Sequence, residues 1–457
     1  MKALILFCVW ALLGASPAFA EAPSATAADE RLIIVSFADR GINAAPIATP
    51  GDFYSPGAVG APGGYATTPW SRRLTDRIAR DYALELVTDW PIRALGVHCA
   101  VFRIGGERPV EDVMRDMAGD ARVDGVQRMN GFRALHSRAG DRHGPDSGAI
   151  ELTAAHRLST GRNVRIAVVD TGIDIHHPDL AGQVVETRDL VTDSETDHDD
   201  VHGTAVAGVI AARAENREGI VGVAPGAKLM ALRACWPDGP DAAGASCNTL
   251  TLARALDAVV QLKPDVLNLS LAGPADPLLA ALLNAVMEAG IVVVVAAPPA
   301  QSVATGFPAG VVGVIEVASI HALAADEAAA LVRAPGTDVL TTFPHGSYDF
   351  ISGNSFAAAH VSGVVALLLE LHPGMKAAEV LHLLLARDRD AAHGSPRAET
   401  SRDGAGLRAA SDERVCALMS RLGRTAGCAP PSPVRRPREL SGNSQSMPLG
   451  GDSSRSS

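Results

Sequence analysis

Three short stretches each offer one reactive side chain where a strand ends or a helix begins. In "VRIAVVDTGIDIHHPDL", Asp170 closes an apolar run, Gly172 permits a tight turn and Asp174 follows. A carboxylate at the end of a buried strand needs a partner, and an imidazole N–H would serve. In "HGTAVAGVIAA", His202 opens a run of small residues, and Gly203 beside it lets another backbone come close. In "FISGNSFAAAHVSGVVALLLE", Ser355 follows a Gly-Asn turn at the head of a long apolar segment. A helix N-terminus there presents the hydroxyl and points the Ser355 N–H at any developing oxyanion. Taken singly, the three read as a loop or cap aspartate, a structural histidine and a serine N-cap. Taken together, a carboxylate, an imidazole and a hydroxyl are the parts of nucleophilic acyl transfer.

The surrounding elements must bring these groups together. From about residue 151 to 410, buried strands ("VRIAVVD", "KLMALRA", "PDVLNLSLA", "IVVVVAA", "GVIEVASI") alternate with helical segments. That alternation predicts an α/β fold with a parallel sheet covered on both faces. In such folds the chemistry sits at the carboxyl ends of the strands. A smaller α+β pattern precedes it: "YALELVT" and "GVHCAVFRI" as strands, "RPVEDVMRDMAGD" as a helix, "VDGVQRMNGFRAL" as a returning strand. "RLIIVSF" reads as a further strand, and the Gly/Pro/Ala-rich stretch after it as a linker.

In chain order, Asp-Thr-Gly, His-Gly-Thr and Gly-x-Ser-x-Ala-x-x-His resemble the motifs of the subtilisin-like serine proteases, the subtilases. Further anchors are His177-Pro178-Asp179-Leu180, "GIVGVAPGAKLMALRA", "NLSLAGP" and "GAGLRA". The resemblance implies a three-layer α/β sandwich with a mainly parallel central sheet, preceded by a small α+β propeptide domain that inhibits the enzyme. It implies an endopeptidase in which Ser355 attacks the peptide carbonyl, His202 carries the proton and Asp170 fixes the imidazole. Leu271, Ala272 and Gly273 match the edge that pairs with substrate backbone, a mode of binding tolerant of sequence. The expected partners are protein or peptide substrates and the chain's own propeptide, and the expected state is a monomer.

One departure touches the chemistry. The strand "IVVVVAA" runs into Pro298-Pro299-Ala300, where the family has an Ala-Gly-Asn turn whose Asn donates to the oxyanion. Proline has no N–H and alanine no side-chain donor. Loss of such a donor costs about 10²–10³ in rate, as in subtilisin itself. Asn354, standing where the family has Thr, and Gln301 are the nearby amides able to replace it. A catalytically weak subtilase-like binding scaffold is the alternative reading.

Bulk properties bound the rest. The chain has 457 residues and a net charge of −11, which argues against nucleic acid or an anionic membrane as main partner. Lys2, an apolar run and Ala18-Phe19-Ala20 read as a secretory signal, so a periplasmic or extracellular product without a membrane anchor is expected. The expected segments are a signal at 1–20, a flexible prosegment at 21–75, a propeptide domain at 76–148, the catalytic domain at 149–412 and a C-terminal tail at 413–457. Cys8 leaves with the signal. Cys235 with Cys247 and Cys416 with Cys428 are the expected disulfides by nearness, leaving Cys99 single. No cofactor is required. Structural calcium is entertained from the family habit, but "DSETDHDD" (193–200) lacks the glycine of an EF-hand loop, and no ligand is named.

Overall fold

Runs such as "RIAVVD" and "VVVVA" are apolar at nearly every position, so the strands they form must be covered on both faces. The computed structural model describes residues 29–39, 68–134, 137–138, 152–191, 200–214, 219–238, 244–298, 306–320 and 331–385. An N-terminal unit comprises β1 (Leu32–Ala38), α1 (Pro69–Asp81), β2 (Leu84–Ile92), β3 (Val97–Ile104), α2 (Val110–Ala118) and β4 (Gly125–Arg128). Its antiparallel sheet has the order β2-β3-β1-β4. A boundary at residue 76 cuts this unit, because β1 pairs with β3 on one side and β4 on the other. Local composition marked only the stretch after β1, which lies outside the described residues. The flanks of that stretch meet where Thr68 Oγ1 donates to Asp39 Oδ2 at 3.0 Å.

Two short strands follow, β5 (Gly131–Ala134) and β6 (Ser137–Arg138). The larger unit begins with α3 (Thr153–His156), β7 (Arg165–Asp170), β8 (Val184–Asp189), α4 (Val201–Ala211) and β9 (Lys228–Arg233). It continues through β10 (Cys235–Pro237), β11 (Ala245–Asn248), α5 (Thr249–Leu262), β12 (Val266–Leu269), β13 (Leu271–Ala272) and α6 (Pro277–Glu288). Last come β14 (Val292–Ala296), β15 (Ile315–Ser319), β16 (Val332–Ala334), β17 (Val339–Phe343), β18 (Ser347–Ser352), α7 (Asn354–Leu371) and α8 (Ala377–Leu385).

Seven strands form a wholly parallel sheet in the order β16-β15-β14-β12-β7-β9-β8. Side chains alternate across it. Ile166 and Val168 of β7 enter the core with α4 and α7, while Ala167 and Val169 enter the core with α5 and α6. The result is the α/β sandwich that the alternation of elements predicts. Strand order reverses between β7 and β12, so a crevice opens at their carboxyl ends. Asp170 ends β7, and Ser270 follows β12. Helix α7 is long and apolar enough to cross a membrane, yet 89% of it is buried inside the fold.

The N-terminal sheet also has two apolar faces. Ile33, Val35 and Phe37 pack with Ile78, Phe102 and Met117 beneath their own helices. Ile34, Trp90, Ile92, Cys99 and Val101 point the other way and share a core with α5 and α6. Of the expected disulfides, Cys235–Cys247 is formed. Cys416 and Cys428 lie outside the described residues, and Cys99 is buried and unpaired by disulfide.

Candidate active site

Asp170 is fixed at both its main chain and its carboxylate. Its carbonyl accepts from Ala234 N at 2.9 Å, and its Oδ1 accepts from Thr171 N at 2.7 Å. The same Oδ1 accepts from His202 Nδ1 at 2.7 Å, with both side chains buried. His202 lies in the first turn of α4, which approaches the loop after β7 closely enough to exclude side chains. A Cβ on Gly203 would fall 2.3 Å from the Gly172 carbonyl, and one on Gly172 would fall 1.9 Å from Asp200 Oδ2. The small residues of "HGTAVAG" are therefore a docking requirement, and docking sets the histidine against the carboxylate.

Ser355 occupies the first turn of α7, after Gly353 at φ 156° and ψ 159°. The next residue, Phe356, lies against the His202 ring with centroids 5.6 Å apart. The Ser355 hydroxyl donates to the Ser270 carbonyl at 3.0 Å, and Ser270 Oγ donates to the Ser355 carbonyl at 3.2 Å. Ser270 in turn accepts from Asn268 Nδ2 at 2.9 Å, and Ser362 Oγ donates to Asn268 Oδ1 at 2.9 Å. Buried polar groups are thus satisfied in a chain from α7 through β12 back to the head of α7. His360, further along α7, is neutral in its surroundings. Burial lowers its pKa to about 4, against the opposing hydrogen bonds to the Phe356 and Pro335 carbonyls.

The segment predicted to pair with substrate is already paired. Leu271 and Ala272 lie opposite Ala134 and Arg133 of β5 in an antiparallel ladder. On its other edge β5 pairs with β11, setting Gly131, Phe132 and Arg133 against Asn248, Cys247 and Ser246. Gly273 instead exchanges hydrogen bonds with Phe307, at 3.0 and 3.1 Å. Phe132 packs edge-on to Phe307 at 5.7 Å, and a Cβ on Gly273 would lie 2.3 Å from its ring. Beyond β5 the chain resumes as β6, with Ser137 opposite Ser352 and Arg138 opposite Ile351.

Asn354 joins two strand tips beside the serine. Its Nδ2 donates to the Ala297 carbonyl at 2.7 Å, and its Oδ1 accepts from Ser319 N at 2.8 Å. One amide hydrogen is thereby engaged just before Pro298. Gln301 lies outside the described residues. So does, apart from Asp200, the acidic stretch 193–200. Among the described residues no group of three or more His, Cys, Asp or Glu side chains is placed to hold a metal ion. Sequence reasoning did not find β11, Phe307 or Ser270. The close spacing of Cys235 and Cys247 was the available sign of a hairpin at β11.

The subtilase family model matches residues 161–406, which span the whole Asp170, His202 and Ser355 arrangement. The chain belongs to the subtilase family. This subtilase is 36% identical over 234 residues to thermitase from Thermoactinomyces vulgaris, covering 50% of this chain and 81% of that protein. It is 34% identical over 239 residues to an intracellular serine protease from Paenibacillus polymyxa, covering 49% and 71%. Among solved structures, fervidolysin from Fervidobacterium pennivorans, described as a keratinolytic enzyme related to subtilisin, aligns with a TM-score of 0.59 and 25% identity. That alignment covers 78% of this chain and 57% of fervidolysin. The subtilase is accordingly a subtilisin-like serine endopeptidase.

Proposed function

We propose that the chain is the self-inhibited precursor of an exported serine endopeptidase, with Ser355 as nucleophile, His202 as general base and acid, and Asp170 as the residue that orients the imidazole. The observation that supports this reading is the strand pairing of residues 131–134 and 137–138 on the two sides of Ser355. Ala134 lies opposite Leu271, next to the Ser270 carbonyl that holds the serine hydroxyl. Ser137 lies opposite Ser352, three residues before Ser355 on the other side. The two paired segments thus flank the serine as the two sides of an extended substrate would, and the bond proposed to be cut falls between Ala134 and Ser137.

The chemistry follows from the residues. Ser355 Oγ rotates from the Ser270 carbonyl toward His202, loses its proton to the imidazole and bonds to the peptide carbonyl carbon. Asp170 Oδ1 holds the proton on Nδ1, so Nε2 is the nitrogen that accepts. The tetrahedral oxyanion is met by the Ser355 N–H at the head of α7, with Asn354 and Gln301 as the proposed side-chain donors. The imidazolium then protonates the leaving amine, and water releases the acyl group by the same steps reversed in role. Preferred substrates are extended peptides with a large apolar side chain at the place of Phe132, since strand pairing itself reads only backbone. Export rests on the signal-like start of the chain and on a disulfide suited to an oxidising compartment.

N-terminal sequencing of the purified protein, wild type beside Ser355→Ala, tests the reading together with fluorophosphonate labelling. The wild type is expected to label at Ser355 and to carry a new N-terminus between residues 135 and 137, while Ser355→Ala stays uncut. An uncut, unlabelled wild type of intact fold would identify a binding scaffold instead.

A further inference from the structure

We infer that the Cys235–Cys247 disulfide is a positioning element of the substrate cleft, holding open the slot into which the extended substrate inserts. The inference rests on the reading that β5 marks the substrate path. In the four-stranded sheet β10-β11-β5-β13, β11 is one wall of that path and β13 the other. Among the described residues, once β5 leaves β11 keeps only β10 beside it, and β10 is the edge strand of that sheet. A two-stranded ribbon of three residue pairs is marginal in water, and Pro237 within it has no N–H to give the ladder. The wall must nevertheless stand about two strand spacings, roughly 9–10 Å, from β13 with nothing between them.

The disulfide meets that need by its location. Cys235 and Cys247 are directly opposite in the ribbon and both are buried. Cys235 follows Ala234, whose N–H donates to the Asp170 carbonyl, so one end is rooted at the catalytic carboxylate's own strand. Cys247 precedes Asn248, which caps α5 by accepting from Thr251 N at 3.0 Å, so the other end is rooted in a core helix. Cys247 is also the residue opposite Phe132. The bridge therefore fixes the wall at the level of Phe132, two residues before Ala134 on the proposed substrate path, and leaves Ser355 and His202 untouched.

The test compares two p-nitroanilides on the matured enzyme, one built on Phe-Arg-Ala-Leu and one on Ala-Leu alone. Only the longer reaches β11, so removal of the bridge by C235S/C247S is expected to raise its KM about tenfold, with kcat and the short substrate's KM within about twofold. If the double variant does not fold, the matured wild type is treated with dithiothreitol. Its two thiols pass two electrons and two protons to the disulfide, giving two cysteine thiols and cyclic oxidised dithiothreitol, and iodoacetamide mapping confirms alkylation at Cys235 and Cys247. The same KM split, reversed on reoxidation, supports the inference. An unchanged KM for the longer substrate after confirmed loss of the bridge overturns it. Should the bridged wild type show no preference for the longer substrate, the substrate-path reading fails first and the inference falls with it.

Discussion

Ser355 and Ser270 exchange hydrogen bonds: the Ser355 hydroxyl donates to the Ser270 carbonyl at 3.0 Å and Ser270 Oγ donates to the Ser355 carbonyl at 3.2 Å. Ser355 is thereby held to the end of β12. Ser270→Ala would leave the Ser355 carbonyl and Asn268 Nδ2 without that partner inside the core. A loss of about 1–3 kcal/mol is expected from such buried groups. Thermal melts of Ser270→Ala in the Ser355→Ala background, beside Ser355→Ala alone, measure it without self-digestion. In the active background kcat should fall several-fold with KM little moved.

Asp170 accepts the Nδ1 proton of His202, and its replacement reverses the tautomer. An asparagine would turn either a carbonyl or an amide toward Nδ1, and the amide favours the imidazole protonated on Nε2. Asp170→Asn should therefore fold and yet lose about 10⁴ in kcat, the size seen for this change in other serine proteases of the same triad. Steady-state kinetics on a p-nitroanilide, with circular dichroism as the folding control, decide it.

Acid should destabilise the fold through two residues of α7, and the signs agree. The pKa of His360 is lowered by burial to about 4, from 6.5, so the unfolded chain takes up a proton before the native one does. Its contribution is complete above pH 6.5 and is lost as pH falls toward 4, in all about 3 kcal/mol. Burial works to raise the pKa of Glu370, but hydrogen bonds from Ser159 and the N–H groups of Thr160, Arg162 and Gly161 outweigh it and hold it below the usual range. That contribution is present above the unfolded value near 4.5 and is lost below it. Melts of Ser355→Ala should decline as pH falls from 7 through 4 and below in two overlapping stages, the upper from His360 and the lower from Glu370. Glu370→Gln should remove the lower one, and its persistence would contradict this account.

The places of Asp170, His202 and Ser355 in the fold were legible because each sits in a local pattern that needs no tertiary information: an apolar strand ending in Asp170, small residues around His202, a Gly-Asn turn before Ser355. The parallel sheet was legible for the same reason, since "VVVVA" has no polar face to expose. The place of β1 was not, because membership of a sheet is decided by partners at residues 97–104 and 125–128, far along the chain. The wall at β11 was not, because "ASCN" is four residues without an apolar period and gains its register only from β5 and β10. Asn354 was read as an oxyanion donor from its position alone, whereas its bonds to Ala297 and Ser319 depend on two strand tips meeting.

That double attachment sharpens what Asn354 should do. One amide hydrogen is on the Ala297 carbonyl, so the proposed oxyanion role falls to the second. Asn354→Ala is expected to lower kcat about 10²-fold with KM nearly unchanged, as for loss of one such donor. A fall of less than about threefold would remove Asn354 from the oxyanion hole.

Asp276 joins the two units through a single buried carboxylate. It caps α6 by accepting from Leu279 N at 3.0 Å, and it accepts from Thr249 Oγ1 at 2.8 Å within the larger unit. From the N-terminal unit it accepts Gln127 Nε2 at 2.8 Å and Asn130 Nδ2 at 2.9 Å. Gln127 Oε1 in turn accepts from Leu278 N at 3.2 Å, so the same side chain serves the helix end and the carboxylate. Asp276→Asn keeps an oxygen at Oδ1, where the Leu279 cap and Gln127 Nε2 both arrive, but offers an amide at Oδ2, where Asn130 Nδ2 of the N-terminal unit and Thr249 Oγ1 arrive. Hydrogen bonds to a charged group contribute about 1.5–3 kcal/mol each, so the N-terminal unit should be held at least tenfold more weakly. After processing, the Asp276→Asn enzyme should lose its N-terminal fragment on gel filtration where the wild type retains it, and activity should appear sooner. Equal retention by both would show that the apolar face of the sheet, with Ile34, Trp90 and Ile92, holds the units together without the carboxylate.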